Sequence, residues 1–285
     1  MPRFENLGYF NGTYGPLDEL VVPFNDRVHF FGDGIYDATY THNHVIYALD
    51  EHIDRFFSSA ALIDIHIKQT KEEIAALLND LVQKVETGDQ LVYFQATRGT
   101  QIRKHLYDDD LVANFWVVLK PMKVKDVYET VSCATLPDNR YYMCNVKTLN
   151  LLPAVLYAKQ AQKLGVYETI LYREGGRVTE CYHSNVSIIR TDGVFQTAPT
   201  DNLILPGISR AHLIRACREL SIPVEEKPFS LDEMRAAAEI VLSSSGAFCS
   251  GVDTLDGVPV GGKAPELLNQ LREWTLADWH RQTGA

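Results

Sequence analysis

The sequence predicts an α+β fold in two domains. Its 285 residues exceed a typical single domain of ~100–200 residues. Strand-like and helical segments follow one another without the regular strand–helix–strand alternation of a doubly wound sheet. Residues 121–125 have no clear periodicity and read as a linker. They separate a predicted small N-terminal domain, residues 1–120, from a larger C-terminal domain, residues 126–285.

The N-terminal domain is predicted to combine antiparallel strands with two helices. Residues 8–15 read as a short hairpin, and residues 34–47 as two strands that turn at 42–44. A helix follows, with Asp50 as its predicted N-cap and apolar or small residues at helical spacing. Thr70 and Glu73 form a capping-box pattern that predicts a second helix over 70–86. Strands are predicted over 90–97 and 114–120.

The C-terminal domain is predicted to alternate strands, hairpins and helices. Its first strand is predicted over 128–135. A helix over 151–164 has Pro153 in its first turn and Gly165 after its end. The remaining predicted elements are a hairpin over 168–180, a turn at 192–193, a strand over 239–243, a hairpin at 256–257, and helices over 209–220, 230–238 and 264 to the C-terminus.

The composition is that of a globular protein, with 46% hydrophobic and 22% charged residues. A net charge of −10 without a cluster of Lys and Arg argues against nucleic-acid binding. The sequence shows neither the apolar run of a signal peptide nor a membrane-length apolar stretch. Five dispersed cysteines without a C-x-x-C pair predict a reducing, cytoplasmic setting and no metal site.

Two charged residues are candidates for chemistry. Lys147 stands in mostly uncharged company before a helix, where partial desolvation favours the neutral amine that attacks aldehydes. A lysine with an apolar stem and its charge in solvent fits the same pattern. Glu180 ends a strand and is suited to a buried cation, yet the pattern fits a solvated hairpin glutamate equally well.

Three further segments could bind anions. Residues 206–209, PGIS, open a helix whose free N–H groups favour an anion, although a serine-capped helix start is the commoner case. Residues 243–246, SSSG, offer hydroxyls and flexible amides after a strand. The basic turn at 97–105 carries the planar guanidinium groups of two arginines, which match a carboxylate, but it also balances the acidic residues 108–110.

Four segments, in this order and spacing, carry a resemblance to a known family. They are EHIDR (51–55), YFQATRG (93–99), VKTLNLL (146–152) and ILPGISR (204–210). The chain resembles fold-type IV pyridoxal-phosphate enzymes, most closely the bacterial D-amino-acid aminotransferases. The resemblance spans residues 31–263 and implies a two-domain fold with the cofactor in the cleft between the domains.

The resemblance implies a role for each candidate around pyridoxal 5'-phosphate. Lys147 forms an aldimine with the cofactor and moves the substrate proton, and Glu180 pairs with the ring nitrogen. The residues implied to bind the phosphate are Arg55, Ile208, Ser209, Ser244 and Ser245. The C-terminal domain is accordingly the cofactor-binding domain.

The resemblance also implies the substrates. Tyr36, Arg103 and His105 match the carboxylate-binding residues of the D-amino-acid enzymes, in which the arginine and histidine come from the neighbouring subunit of a homodimer with shared active sites. The implied reaction is ping-pong transfer from a D-amino acid such as D-alanine to 2-oxoglutarate. Branched-chain L-amino-acid or (R)-amine transamination and aminodeoxychorismate lysis remain alternatives, as does binding of the cofactor or an anion without catalysis.

The sequence departs from the family at two places. Bulky residues, Cys181, Tyr182 and His183, follow Glu180 where small ones are usual. Phe248 stands near the serine-rich segment 243–246, where it could shape the substrate pocket or pack in the core.

Overall fold

The computed structural model describes residues 3–284, which form two compact units. The first contains residues 3–124, 146–150 and 279–284, and the second contains Lys125–Asn145 and Leu151–Asp278. The boundary after Val124 lies within the predicted linker at 121–125. The assignment of residues 146–150 and 279–284 to the first unit differs from the predicted division, because both segments follow that linker in sequence.

The first unit is built on a six-stranded antiparallel sheet in the order β2-β1-β6-β5-β3-β4. The strands are β1 (Leu7–Phe10), β2 (Thr13–Gly15), β3 (Gly34–His42), β4 (Val45–Ile46), β5 (Gln90–Thr97) and β6 (Asn114–Pro121). The helices are α1 (Val28–Phe31), α2 (Leu49–Leu62) and α3 (Lys71–Val82). The predicted hairpins are confirmed, and the turn between β3 and β4 places Asn43 and His44 at positive φ.

Helices α2 and α3 pack their apolar faces on this sheet. Ile53 and Phe56 of α2 join the core with strand residues such as Phe94. The capping box of Thr70 and Glu73 is present at the start of α3, which ends at Val82, four residues earlier than predicted. The prediction of Asp50 as an N-cap is wrong: Ala48, at φ 50°, holds that position and Asp50 lies in the first turn.

The second unit is built on a nine-stranded mixed sheet in the order β12-β11-β10-β13-β14-β7-β8-β9, with β15 paired to β14. The strands are β7 (Val131–Pro137), β8 (Glu168–Tyr172), β9 (Val178–Cys181), β10 (Asn185–Ile189), β11 (Phe195–Thr197), β12 (Val224–Glu226), β13 (Glu239–Ser243), β14 (Ser250–Leu255) and β15 (Val258–Pro259). The helices are α4 (Leu152–Leu164), α5 (Ile208–Glu219), α6 (Leu231–Ala236) and α7 (Pro265–Thr283), of which the residues from Trp279 onward belong to the first unit. The α+β class is confirmed.

Short-range sequence patterns predicted the positions of most of these elements. Gly165 ends α4 in the left-handed conformation, and the capping box of Ser230 and Glu233 begins α6. Strand β7 begins three residues later than predicted, at Val131, where its parallel pairing with β14 begins. In the described part of the chain, no helix has the length and apolarity to cross a membrane. Nor do residues 3–284 contain a group of three or more His, Cys, Asp or Glu side chains suited to a metal ion.

Candidate active site

Lys147 lies on the segment Val146–Asn150, which pairs with the start of β3 through a bridge between Ile35 and Thr148. The backbone N–H of Lys147 donates to Ser59 Oγ at 3.1 Å, and its carbonyl accepts the N–H of Tyr36 at 2.9 Å. Its half-buried side chain places Nζ 4.4 Å from the centre of the Tyr36 ring. The structure therefore brings together two predicted site residues, Lys147 and Tyr36, on a fixed backbone.

Tyr36 is supported by a second tyrosine that the sequence prediction missed. The rings of Tyr36 and Tyr93 are stacked, with centres 5.4 Å apart and planes inclined by 24°. The Tyr93 hydroxyl donates to Gln95 Oε1 at 2.7 Å. Burial, with a smaller contribution from Tyr36, raises the pKa of Tyr93, so this hydroxyl stays protonated and keeps donating. The pairing register of β3 and β5 places the two rings on one face of the sheet, and the sequence alone does not give this register.

Arg55, the predicted phosphate ligand, belongs to a buried cluster with Asp37 and His52. Arg55 donates to both carboxylate oxygens of Asp37, from Nε at 2.8 Å and from Nη2 at 2.6 Å. His52 Nδ1 lies 2.7 Å from Asp37 Oδ1. The three side chains are at most 9% exposed. His52 and Arg55 are three residues apart on α2, so they lie on the same helix face, opposite Asp37 on β3.

The charges in this cluster favour an ionised Asp37. Burial alone would raise its pKa, but Arg55 and His52 outweigh burial and hold the pKa well below its usual range. Burial lowers the pKa of His52, although the neighbouring carboxylate opposes this shift. The lowered pKa favours the neutral imidazole. The sequence carried a signal for Asp37, because it occupies a core-facing position of the alternating strand β3.

Arg103 and His105 lie on an exposed loop after β5. The Arg103 guanidinium is 5.3 Å from the centre of the Phe31 ring, and the His105 ring is 5.4 Å from it. Among residues 3–284 of this one chain, no hydrogen bond or ring contact joins either side chain to Tyr36. The structure thus brings Arg103 and His105 together, but not with the third predicted carboxylate ligand.

In the second unit, Glu180 is buried at the end of β9, with 5% exposure. It is therefore not the solvated hairpin glutamate that the sequence left open. One oxygen accepts a hydrogen bond from Arg140, and the other accepts from Asn185 Nδ2 at 2.8 Å and from the Leu205 N–H at 3.0 Å. Burial raises the pKa of Glu180 to about 7, and Arg140 opposes that rise.

Arg140 is a further residue that sequence reasoning missed. Its Nε and Nη2 donate to the two oxygens of Asp138 at 3.0 and 2.9 Å, while Nη1 donates to Glu180. Thr179 also donates to Asp138, at 2.9 Å. Because Asp138 fixes this guanidinium, Arg140 presents a constant orientation to the Glu180 carboxylate.

Asn185 connects Glu180 to the predicted anion site at the start of α5. Its amide donates to Glu180 and to the Leu205 carbonyl, at 2.8 and 3.0 Å. Its oxygen leaves no room for a larger residue at Gly207, since an added Cβ would lie 1.9 Å from it. Gly207 is the N-cap and no side chain caps the helix. The serine-capped alternative is therefore wrong, and the first-turn amides of Ile208 and Ser209 remain suited to an anion.

The serine-rich segment 243–246 also lies next to Asn185. Strand register pairs Asn185 with Ser243, the residue before Ser244 and Ser245. Both following serines are half-buried. Within the second unit, the structure thus gathers Glu180, the start of α5 and this turn. Phe248 is 2% exposed, which favours packing in the core.

Of the bulky residues after Glu180, His183 contacts a carboxylate on the neighbouring strand and Cys181 packs in the core. Cys181 is buried in the core, with 1% exposure. His183 Nδ1 lies 2.7 Å from Glu168 Oε1, and the Ser184 hydroxyl donates to the other oxygen of Glu168 at 2.5 Å. Glu168 is fully buried, so these contacts provide it with the donors that a buried carboxylate requires.

A family model for amino-transferase class IV matches residues 34–255 of the chain. The chain belongs to the class IV amino-transferases. The predicted family resemblance is confirmed, and the matched range contains every predicted site residue. The D-alanine aminotransferase of Listeria monocytogenes (strain 10403S) is 37% identical to this class IV amino-transferase over 273 residues, which cover 94% of each chain.

Solved structures agree with this fold. A branched-chain aminotransferase from Thermoproteus uzoniensis has a TM-score of 0.87 at 22% identity, covering 96% of this chain and 95% of that one. A hypothetical aminotransferase from Mycobacterium tuberculosis, in its PLP-bound form, has a TM-score of 0.82 at 18% identity, covering 95% and 99%. At this identity the likeness establishes the fold of the class IV amino-transferase and leaves its substrate to other evidence.

The buried cluster of this class IV amino-transferase yields a stability prediction. Replacing Asp37 by Asn should lower the free energy of unfolding by about 3–5 kcal/mol, because the buried ion pair with Arg55 loses its carboxylate charge. Urea unfolding of the cofactor-free protein measures this loss. Asp54→Asn is the matched control, since Asp54 pairs with Lys71 on the exposed face of α2. Equal stability of the two variants would contradict the assigned role of Asp37.

Proposed function

We propose that this class IV amino-transferase transfers the amino group of a D-amino acid, such as D-alanine, to 2-oxoglutarate, with pyridoxal 5'-phosphate as its cofactor. The observation that carries the proposal is the 4.4 Å approach of the Lys147 amine to the Tyr36 ring. An amine that binds the cofactor aldehyde and a phenol that binds a substrate carboxylate have to lie side by side at such a site. The similarity to D-alanine aminotransferases supports the choice of donor.

The residues of the chain fit the functional groups of the cofactor. Lys147 supplies a half-buried amine for the aldehyde. Glu180 supplies a buried carboxylate for the protonated ring nitrogen, a charge-assisted hydrogen bond of roughly 1.5–3 kcal/mol. For the phosphate, the first unit offers the Arg55 guanidinium. The second unit offers the uncapped amides of Ile208 and Ser209.

In the proposed mechanism the bound cofactor supplies an electron sink for the charge that develops on the substrate α-carbon. Lys147 would act as the base and acid that moves the proton of the substrate α-carbon. Glu180 holds the proton of the ring nitrogen in place. The hydroxyls of Ser244 and Ser245 add donors for the phosphate. Transfer from the donor and transfer to 2-oxoglutarate would be two separate half-reactions of a ping-pong sequence.

The donor preference is assigned to the carboxylate ligands. Tyr36, Arg103 and His105 are proposed to hold the substrate α-carboxylate. Its placement determines which hydrogen of the α-carbon faces Lys147, and so selects the D-enantiomer. Both Arg103 and His105 are exposed in the single chain, which supports the proposal that they serve the active site of a second subunit.

A homodimer is therefore part of the proposal. In the first unit, Ile102 and Leu106 flank the carboxylate loop and are 80% and 78% exposed. In the second unit, Leu152, Val155 and Leu156 form an apolar face of α4, each more than half exposed. Contiguous exposed apolar residues of this kind mark interaction surfaces. Light scattering coupled to size-exclusion chromatography should give twice the mass of the 32.1 kDa chain.

We also propose a cytoplasmic location. In the described residues all five cysteines are free thiols, and four of them are buried. Free thiols of this kind are typical of proteins kept in a reducing compartment.

A panel of amino donors, with both enantiomers of each and 2-oxoglutarate as acceptor, tests the function. D-alanine should be a far better donor than L-alanine, and the absorption band of the loaded enzyme should change when it is added. Preference for branched-chain L-amino acids or for (R)-amines would overturn the proposed donor. Release of pyruvate from aminodeoxychorismate would indicate a lyase. An unchanged spectrum with every donor would indicate binding without catalysis.

Arg103 is the residue on which the carboxylate assignment depends most. Arg103→Gln should raise the KM for D-alanine about 10- to 100-fold, because a charge-assisted hydrogen bond to the carboxylate is lost. Steady-state kinetics measures the change. Lys104→Gln is the matched control, since it removes the neighbouring positive charge, which pairs with Asp108 on the surface. An equal rise in KM for both variants would contradict a specific role of Arg103.

A further inference from the structure

Arg27 is a buried arginine whose contacts converge on the loop that carries Arg103 and His105. It precedes α1 and is 3% exposed. Its Nη1 donates to the carbonyl oxygen of Lys104 at 2.7 Å, and its Nη2 donates to the carbonyl oxygen of His105 at 3.3 Å. Nη1 also lies 3.3 Å from Gln101 Oε1. One guanidinium thus binds consecutive backbone carbonyls at the two residues that follow Arg103.

The same guanidinium contacts an aromatic ring that Arg103 and His105, two of the three proposed carboxylate ligands, also contact. Arg27 lies 4.9 Å from the centre of the Phe31 ring, Arg103 lies 5.3 Å from it, and the His105 ring lies 5.4 Å from it. The loop is otherwise exposed. Arg27 and Phe31 therefore restrain both the backbone and the side chains of a segment that has little buried surface of its own.

Asp33 fixes Arg27 in turn. Its carboxylate accepts from Arg27 Nε at 2.8 Å and from Arg98 Nε at 2.9 Å. Arg98 donates onward to the carbonyl oxygens of Asp64 and Ile63 at 2.6 and 2.8 Å, just after the end of α2. Through Asp33 and Arg98, Arg27 is therefore connected to the end of α2, the helix that carries Arg55. A lysine could not make these contacts together, because its ammonium is a single point charge without the planar fork of arginine.

We propose that Arg27 is a positioning residue for substrate carboxylate binding. By holding the carbonyls of Lys104 and His105, it orients Arg103 and His105 as a pair, and Phe31 is the surface against which that pair is held. Arg27 itself does not contact the substrate. This inference rests on the proposed function, since it assumes that Arg103 and His105 bind the carboxylate.

Arg27→Lys in the cofactor-loaded enzyme tests the proposal. In single-turnover reactions, the half-saturating D-alanine concentration should rise about 10- to 100-fold, while the limiting rate changes much less. In the Arg103→Gln background, Arg27→Lys should have a smaller effect, because one of the two side chains that it positions is gone. Independent, additive effects would overturn the proposal.

A destabilised control separates positioning from general loss of stability. Leu78→Ala empties part of the fully buried core of the first unit and should lower the melting temperature without changing the half-saturating concentration. An equal rise in that concentration for this control would also overturn the proposal. If Arg27→Lys does not fold, Phe31→Leu is measured instead, and it should raise the half-saturating concentration in the same way.

The failure of this inference is distinguishable from that of the proposed function. If the wild-type enzyme takes no amino group from D-amino acids, the proposed function is wrong. If it does so, and Arg103→Gln weakens D-alanine binding while Arg27→Lys and Phe31→Leu leave it unchanged, only the role of Arg27 is wrong.

Discussion

Replacing Lys147 by alanine is expected to lower the rate of transamination by at least about a thousandfold. Under the proposed function, Lys147 both binds the cofactor covalently and moves the substrate proton, and proton transfer by a placed side chain alone contributes about 10²–10⁴-fold. The half-buried amine beside the Tyr36 ring has no equivalent in alanine. Rates with D-alanine and 2-oxoglutarate measure the loss.

A chemical readout identifies the lysine directly. Borohydride reduction of the loaded wild-type enzyme should fix the cofactor on the peptide that contains Lys147, as found by mass spectrometry. Lys147→Ala should yield no such adduct. Lys123→Ala is the control, because Lys123 is an 84% exposed lysine of the same unit and should keep both the adduct and the rate. A cofactor fixed on a different lysine in the Lys147→Ala protein would show that the assignment is wrong.

Elements with short-range signals could be predicted from the sequence. The capping boxes at Thr70 and Ser230 join residues three apart, and both are present. The N-cap of α2 could not be read in this way, because Ala48 adopts a left-handed conformation that shifts the helix start. The start of β7 also depends on distant partners, since β14 lies more than a hundred residues later in the chain.

The candidate site was predictable only in part, for the same reason. Lys147, Arg55 and Glu180 could be named from motifs that resemble a family. Arg140, which binds Glu180, is separated from it by 40 residues, and no spacing in the sequence connects the two. The role of Asn185 emerged only from its contacts with Glu180 and from the close approach of Gly207. Long-range contacts of this kind leave no periodic trace.

The substitution Glu180→Gln is expected to lower the rate of transamination about 10²–10³-fold. The glutamine keeps the size of the side chain, but it cannot stabilise a positive charge on the ring nitrogen, so the electron sink weakens. Asn185 and the Leu205 N–H can still donate to its amide oxygen. Glu233→Gln is the control, because Glu233 caps an exposed helix start.

The pH dependence of stability gives an independent test of Glu180. In the cofactor-free protein, burial raises its pKa to about 7 from an ordinary value of 4.5, although Arg140 opposes the rise. A group with a raised pKa in the folded state stabilises that state fully below pH 4.5, and the contribution is lost as the pH rises through 7. The free energy of unfolding of the wild type should therefore fall over this range relative to Glu180→Gln, whose amide does not titrate.

Cofactor binding should reverse this effect. A cationic ring nitrogen bound to the carboxylate favours its ionised form, so binding near pH 7 should release a proton from Glu180. Calorimetric titration of the cofactor-free enzyme in two buffers of different ionisation enthalpy measures the release. Glu180→Gln has no carboxyl proton to release, although it can lose the proton of the ring nitrogen. The two proteins should therefore differ in how release depends on pH, because the contribution of Glu180 falls as the pH rises through 7, where the carboxyl is already ionised before binding. The same pH dependence in both proteins would mean that the ring nitrogen is not paired with this carboxylate, and the assignment of Glu180 would be wrong.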